Sequence, residues 1–180
     1  MKIVTMKLGH LELSNNLTRE DSAEIARCAN DYEIYRNIGG HSFPFPYRES
    51  DAINFIEKIR ESGKEIFAID FKILYDGKFA GVIGLSDIDT LNRSAHVGYW
   101  TSKEYRNKGI MTSALSMVIN YSRDTLRLNR LHTKVLEYNP ASLKVLIKNG
   151  FSIEGFLRDS FMFEQKFYSE FMLGKILDRD

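Results

Sequence analysis

Apolar residues recur along this chain at two periods, and the way the periods succeed one another predicts interleaved strands and helices. From Ile110 onward Met111, Ala114, Leu115, Val118 and Ile119 return at helical spacing in a long amphipathic run. Ala52, Phe55, Ile56 and Ile59 mark a second helical face, with Gly63 placed to close it. Thr18, followed by Arg-Glu-Asp and an alanine-rich segment, reads as a helix N-cap with Ile25 and Ala29 turned inward. Lys2 to Leu13 reads as one short strand that can turn at Gly9-His10. Glu65 to Tyr75, the turn Asp76-Gly77, Phe79 to Ile88, a turn near Asn92-Arg93 and Ser94 to Thr101 predict an antiparallel meander. Arg130 to Tyr138 is then a strand, and Ser142 to Lys148 a short helix stopped by Gly150. Phe151 to Arg158 and Phe163 to Leu173 are the last two strands.

The count points to one α/β (α+β) domain over residues 1–180, with a mixed, mostly antiparallel sheet of six to seven strands and about four helices. No linker, repeat or low-complexity tract interrupts it. Asn37 to Tyr47 is the one stretch of unusual composition. Its glycines and prolines exclude regular structure, yet Phe43, Phe45 and Tyr47 are too apolar for an idle surface turn. It can plug an edge of the core, line a cleft, or do both. The aromatic cluster Phe156, Phe161, Phe163, Phe167, Tyr168 and Phe171 is read most simply as core and sheet packing.

Between the meander and the long helix lies Arg106-Asn107-Lys108-Gly109, a basic loop ending in glycine. The first amides of a helix have no intrahelical partner and sit at the positive end of its dipole, so a phosphate can accept from them. Gly109 removes the Cβ that would hold such a ligand away, and Arg106 and Lys108 add positive charge. The same residues also make an ordinary strand-to-helix connection.

Arg106-Asn107-Lys108-Gly109-Ile110-Met111 resembles the Arg/Gln-x-x-Gly-x-Gly/Ala loop of the GCN5-related N-acetyltransferases, which binds the pyrophosphate of acetyl-CoA. Gly98-Tyr99-Trp100 before it, Asn139-Pro140-Ala141-Ser142 after it, and Lys148-Asn149-Gly150-Phe151 with Glu154-Gly155 and Arg158 are similar in order and spacing to one branch. That branch is the RimJ/RimL-like ribosomal-protein alanine N-acetyltransferases, and the likeness spans residues 8 to 175. The resemblance implies a sheet splayed in its middle to hold acetyl-CoA. The pantetheine arm would lie as a pseudo-strand along Val97, Gly98, Tyr99, Trp100 and Thr101, with an amide near Gly98 or Tyr99 aimed at the thioester oxygen. Asn107 to Met111 would cradle the pyrophosphate, and Asn139 would bond the pantetheine.

Ser142 stands where relatives place a serine near the CoA sulfur, able to protonate the leaving thiolate; it can equally cap the helix it begins. His96 stands where relatives commonly carry glutamate, and a histidine can take the amine's proton near neutral pH or be only a sheet-surface residue. Phe43, Phe45 and Tyr47 would wall the acceptor cleft. Relatives often carry an aspartate in the last strands, a place that falls here to Ser169 or Glu170. Two further departures are Met111, where a small residue is usual, and Leu146, which excludes a tyrosine acid at that position.

Composition adds little that conflicts. A formal net charge of +1 gives no bulk attraction to nucleic acid or to a membrane surface. Cys28 is the only cysteine, so no intrachain disulfide forms, and a small core residue is its simplest role. There is no apolar run long enough to span a membrane and no signal-peptide pattern, so the expected compartment is the cytoplasm. The histidines are too scattered for a metal site. The expected activity is acetyl transfer from acetyl-CoA to a primary amine, on a protein N-terminus or a small molecule, with a homodimer compatible with the aromatic C-terminal strands. The alternative is a non-catalytic acyl-CoA-binding module of the same fold.

Overall fold

The computed structural model describes residues 2–38, 43–62 and 68–177. The chain begins with β1 (Thr5–Leu8) and β2 (Leu11–Ser14), then α1 (Ser22–Ala29), α2 (Tyr32–Ile38) and α3 (Glu49–Ser62). The meander β3 (Ile69–Tyr75), β4 (Lys78–Asp89) and β5 (Ser94–Thr101) follows, then α4 (Ile110–Asp124), β6 (Arg130–Leu136), α5 (Pro140–Lys148), β7 (Ser152–Phe163) and β8 (Lys166–Ile176). The strands form one sheet in the order β1-β2-β3-β4-β5-β6-β8-β7. Neighbours are antiparallel except β5 and β6, which run parallel.

Eight strands and five helices are therefore present among the described residues, against the expected six to seven and four. The extra strand arises because Gly9, at φ 57, folds the N-terminal stretch into a hairpin rather than leaving it as one strand. The extra helix is α2, which buries only Ile34 and so carries no apolar stripe to announce it. α2 also takes Asn37 and Ile38 out of the expected loop, while residues 39–42, and Gly63 with residues 64–67, lie outside the described residues.

The last hairpin also differs. β7 runs on to Phe163 instead of ending at Arg158, and the turn is Glu164-Gln165, both left-handed at φ 47 and 63. That turn matches the twist of a two-residue hairpin, but it uses neither glycine nor asparagine, the residues that normally signal it. The expected turn Asp76-Gly77 has the same geometry, φ 50 and 73, with the usual residues.

Two cores lie on opposite faces of the sheet. On one, Ile110, Ala114, Leu115 and Val118 of α4 and Leu146 of α5 pack on Phe71, Ile83, Val97, Leu131 and Leu173. On the other, Ile25 and Ala29 of α1 and Ala52, Ile56 and Ile59 of α3 pack on Phe79, Val82 and Trp100. Each fully buried aliphatic side chain contributes about 1.5–3 kcal/mol of transfer free energy, so both faces fix the strands between them. The C-terminal aromatics divide. Phe163 is buried in the core and Phe156 packs across the sheet on Phe171 at 4.9 Å, as core and sheet packing together expect, whereas Phe156 and Phe167 are 47% and 59% exposed. Those two lie on β7 and β8 at the end of the sheet, where no helix covers them.

Candidate active site

β5 and β6 stay together for only three residue pairs, Ser94 with Arg130, Ala95 with Leu131 and His96 with His132. Beyond His96, β5 continues to Thr101 bonded to β4 alone, and beyond His132, β6 continues to Leu136 bonded to β8 alone. The strands diverge because each is held by its outer partner, and the wedge between them leaves main-chain groups of both strands facing open space. Backbone N–H and C=O groups in that position call for a partner from outside the sheet.

α4 begins beside this wedge. Gly109, its N-cap, is left-handed at φ 76 and ψ −2, and nothing lies within 4 Å of where a Cβ would stand. Asn107 is also left-handed, at φ 60. The turn so made aims the first amides of α4 into the opening. Met111, bulkier than the usual residue, is 7% exposed and packs into the core beneath α4, so its size does not fill the loop.

Wedge and loop belong to one cleft of about 1600 Å³. Drug-sized ligand pockets run to about 1,000 Å³, so this space is large enough for two reactants side by side. Val97, Gly98, Tyr99, Trp100, Thr101, Arg106, Asn107, Gly109, Ile110, Met111, Asn139 and Ser142 line it on one side, along β5, the loop and the starts of α4 and α5. Phe43, Tyr47, Phe55, Asp70, His96 and Glu170 line it on the other.

Ser142 does not cap α5. Asn139 is the N-cap, its side chain accepting from Ser142 N at 3.1 Å, with Pro140 in the first turn. The Ser142 hydroxyl is thereby free to pair with the Tyr99 hydroxyl at 3.0 Å. Burial pushes the Tyr99 phenol up to about 12, so it keeps its proton at neutral pH. The family resemblance implied a role for Tyr99 only through its backbone; its hydroxyl shows itself once α5 is docked against β5. Leu146 is fully buried and plays no part in the cleft.

His96 has hydroxyl groups at both ring nitrogens, Ser86 Oγ at 3.2 Å from Nδ1 and Thr133 Oγ1 at 3.4 Å from Nε2. His132 packs edge-on at 5.8 Å. Burial first, and the neighbouring His132 second, lower the His96 pKa below its usual 6.5, so the ring is neutral and basic at pH 7.

Other residues are placed differently from the simplest expectation. The Arg106 guanidinium reaches Asp31 at 2.9 Å, and its Nε donates to Thr101 O at 3.3 Å, tying the loop to the α1–α2 junction. Lys108 lies over the Tyr105 ring at 5.4 Å and is not part of the cleft lining. Phe45 also stays off the cleft lining and stacks on Tyr35 at 5.5 Å. Ser169 is 7% exposed and ties β8 to Glu137 and Asp159. Glu170, beside it, faces the cleft and meets Lys134 at 3.6 Å. The sheet alternation that sends Ser169 inward sends Glu170 to the opening. Sequence reasoning missed Asp70, the second residue of β3, which has no motif around it. It also missed the bracing of α2, whose Arg36 O accepts from Tyr138 OH at 2.8 Å at the rim.

Comparison with known proteins agrees with this geometry. Residues 11–152 match the family described as acetyltransferase (GNAT) domain. The chain is 37% identical over 113 residues to a putative ribosomal N-acetyltransferase, YdaF, of Bacillus subtilis, covering 63% of this chain and 60% of that protein. It is 27% identical over 147 residues to spermidine N(1)-acetyltransferase of Escherichia coli, covering 81% and 75%. The alignment thus spans about six-tenths of the length of the first relative and three-quarters of the second. The solved structure of a ribosomal alpha-N-protein acetyltransferase, RimL, in complex with coenzyme A superposes with a TM-score of 0.87 at 20% identity, over 99% of this chain and 100% of that one. That likeness establishes the fold. A wedge between two parallel strands, a left-handed glycine opening the helix beside it, and a matching family domain over most of the chain lead to one statement: the chain belongs to the GNAT acetyltransferase family.

Proposed function

We propose that this protein transfers the acetyl group of acetyl-CoA to a primary amine by direct attack, with both reactants held in the cleft at once. The observation that carries the reading is the parting of β5 from β6 after His96, beside the left-handed Gly109. Main-chain groups of Val97 to Thr101 hold the pantetheine arm as an added strand, and one of their amides steadies the charge that grows on the acetyl oxygen. The amides of Ile110 and Met111 hold the pyrophosphate, with Gly109 allowing close approach. Arg106 and Lys108 are proposed to assist at longer range, Arg106 chiefly by fixing the loop through Asp31.

His96, neutral and basic, accepts the amine's proton directly or through a water. Ser142 and Tyr99, hydrogen-bonded to each other, return a proton to the departing sulfur. Phe43 and Tyr47, in contact at 4.7 Å, wall the acceptor side, whereas Phe45 and Ser169 stay off the cleft lining. Relatives named for ribosomal-protein and spermidine acetylation support either a protein N-terminus or a small amine as acceptor. The cytoplasm is the proposed compartment; no helix among the described residues is long and apolar enough to cross a membrane.

The test mixes purified protein with acetyl-CoA and a panel of N-terminal peptides and small amines, and follows release of free thiol. Turnover with at least one acceptor is expected. Binding of CoA with no turnover on any acceptor would instead favour an acyl-CoA-binding module. We also propose a homodimer through the C-terminal strands, where the terminal strand β7 and its neighbour β8 expose Ile153, Phe156, Met172 and Ile176. Sedimentation equilibrium checks it, and a monomer at every concentration refutes it.

A further inference from the structure

Asp70 faces the cleft from β3 and makes no hydrogen bond or ion pair with any described residue. The other charged groups of the cleft's acceptor side are accounted for or lie apart from it. Lys72, two residues along the same face of β3, is held by Asp21 at 2.8 Å. Asp51 of α3 accepts from Arg48 N at 2.8 Å, and Glu170 of β8 has Ser160 and Lys134. Glu33 of α2, Lys58 of α3, Asp87 of β4, His96 of β5 and His132 of β6 also face the cleft, and none of them forms a hydrogen bond or ion pair with Asp70. Burial pushes the Asp70 carboxyl up to about 6, and no cation among the described residues offsets it.

The strand register shows where that carboxylate is directed. Asp70 pairs with Gly84 on β4, and Gly84 pairs with Gly98 on β5. A Cβ at position 84 would collide with Asp70 Oδ1 and lie 2.9 Å from its Cγ, so the carboxylate lies across the space that Gly84 leaves. Gly98 is open too, its nearest neighbour being His96 Cε1 at 3.6 Å from where a Cβ would be. Two glycines in register thus make a bare lane from Asp70 to the strand beside the wedge.

Neighbouring strands lie about 4.8 Å apart, so Gly98 is about 10 Å from Asp70 across two spacings. The carboxylate spans the first, leaving about 5 Å. An ammonium bonded to it at about 2.8 Å would then stand about 2 Å short of Gly98 along the lane, beside the edge of the wedge where the thioester is proposed to lie.

We propose that Asp70 seats the ammonium group of the acetyl acceptor in the lane between Gly84 and Gly98, making it a specificity-determining residue that selects cationic amines over neutral ones. The inference rests on the acetyl-transfer reading above and adds the group that recognises the acceptor. Above pH 6 the carboxylate is charged and can hold the ammonium; as pH falls through about 6 it protonates and the seat is lost. The same raised pKa fixes a stability signature. Below the unfolded value near 3.9 the acid is protonated in both states and imposes no cost. The cost of the unpartnered anion grows from there to pH 6 and is full above it.

The experiment compares wild type with Asp70→Asn, each saturated with CoA, by calorimetric titration with n-butylamine and with trialanine amide, and with their N-acetylated neutral counterparts. Wild type is expected to bind the amines and not the acetylated forms, and Asp70→Asn to weaken amine binding about tenfold or more. The variant should also melt higher than wild type at pH 8 and equally at pH 3. In turnover its KM for amines rises about tenfold while kcat stays within about threefold. Equal amine affinity in the two proteins, or a lower melting temperature for the variant at pH 8, would overturn the assignment. Asp70-dependent amine binding without acetyl transfer would keep the seat and remove the acetyl-transfer reading. Equal acetylation of amines by both proteins would do the reverse.

Discussion

The two walls of the cleft are built from different parts of the chain. The wall toward α4 and α5 is mostly main chain: the free edge of β5, the first amides of α4, and a turn set by Gly109. The wall toward α1, α2 and α3 is mostly side chain, drawn from the segment before α3, from β3 and β5, and from β8, through Phe43, Tyr47, Asp70, His96 and Glu170. Charge divides along the same line. Arg106, Lys144 and Lys148 stand on the first wall, whereas Asp51, Asp70 and Glu170 stand on the second, with Lys58 and Lys134 among them. A main-chain wall tolerates side-chain exchange, which is why Met111 can replace a small residue by turning into the core. A side-chain wall changes with every substitution, so under the proposed function it is where acceptors would be told apart.

Breaking the support of the first wall should give the largest effect. Leu115 is fully buried under α4, and Leu115→Ala should lower stability by about 2–5 kcal/mol, read as a fall in denaturant midpoint, with CoA affinity falling alongside. Next comes the proton donor between the walls. Tyr99→Phe and Ser142→Ala should each reduce kcat about a hundredfold with CoA affinity unchanged, and the double variant should be little worse than either. Additive losses would show that the two hydroxyls act separately. Asn139→Ala removes the cap of α5 and should cost about 1 kcal/mol in thermal unfolding, with a smaller loss of kcat as Ser142 is released.

His96 tests the second wall through pH. Its folded pKa lies below the unfolded 6.5, so the unfolded chain takes up protons first. Stability is therefore full above 6.5 and fades as pH falls from 6.5 toward the folded value. His96→Gln should flatten that slope and remove the matching acid limb of kcat/KM. The smallest effect is expected at the tie between the walls. Arg106→Gln should cost about 0–1 kcal/mol, because its partner Asp31 is itself partly solvated.

The same division explains what could be read from the chain before folding. The meander, the long helix and the glycine turn carry local signals: period, turn residues and loop composition. The wedge was expected only through the family resemblance that the loop and its flanking motifs carry, because the parting of β5 from β6 is a matter of strand pairing that no local signal announces. Asp70 was not, since nothing near it in sequence sets it apart; only the register that aligns it with Gly84 and Gly98 gives it a role. The Tyr99 hydroxyl was hidden for a related reason, as its partner lies 43 residues away. Ser142 looked like a cap until Asn139 proved to hold that position. The Glu164-Gln165 turn was missed because it takes left-handed geometry without the residues that favour it.

The central claim is that the free edge of β5 and the glycine that opens α4 hold the diphosphate and pantetheine of acetyl-CoA. Calorimetric titration of CoA into wild type and into Gly109→Val tests it most directly, since a valine at φ 76 is strained and its Cβ enters the open space at the helix start. The account predicts one site per chain in wild type and an affinity at least about tenfold lower in the variant, with the fold intact by circular dichroism. No heat with wild type, or equal affinity in the two proteins, would contradict it.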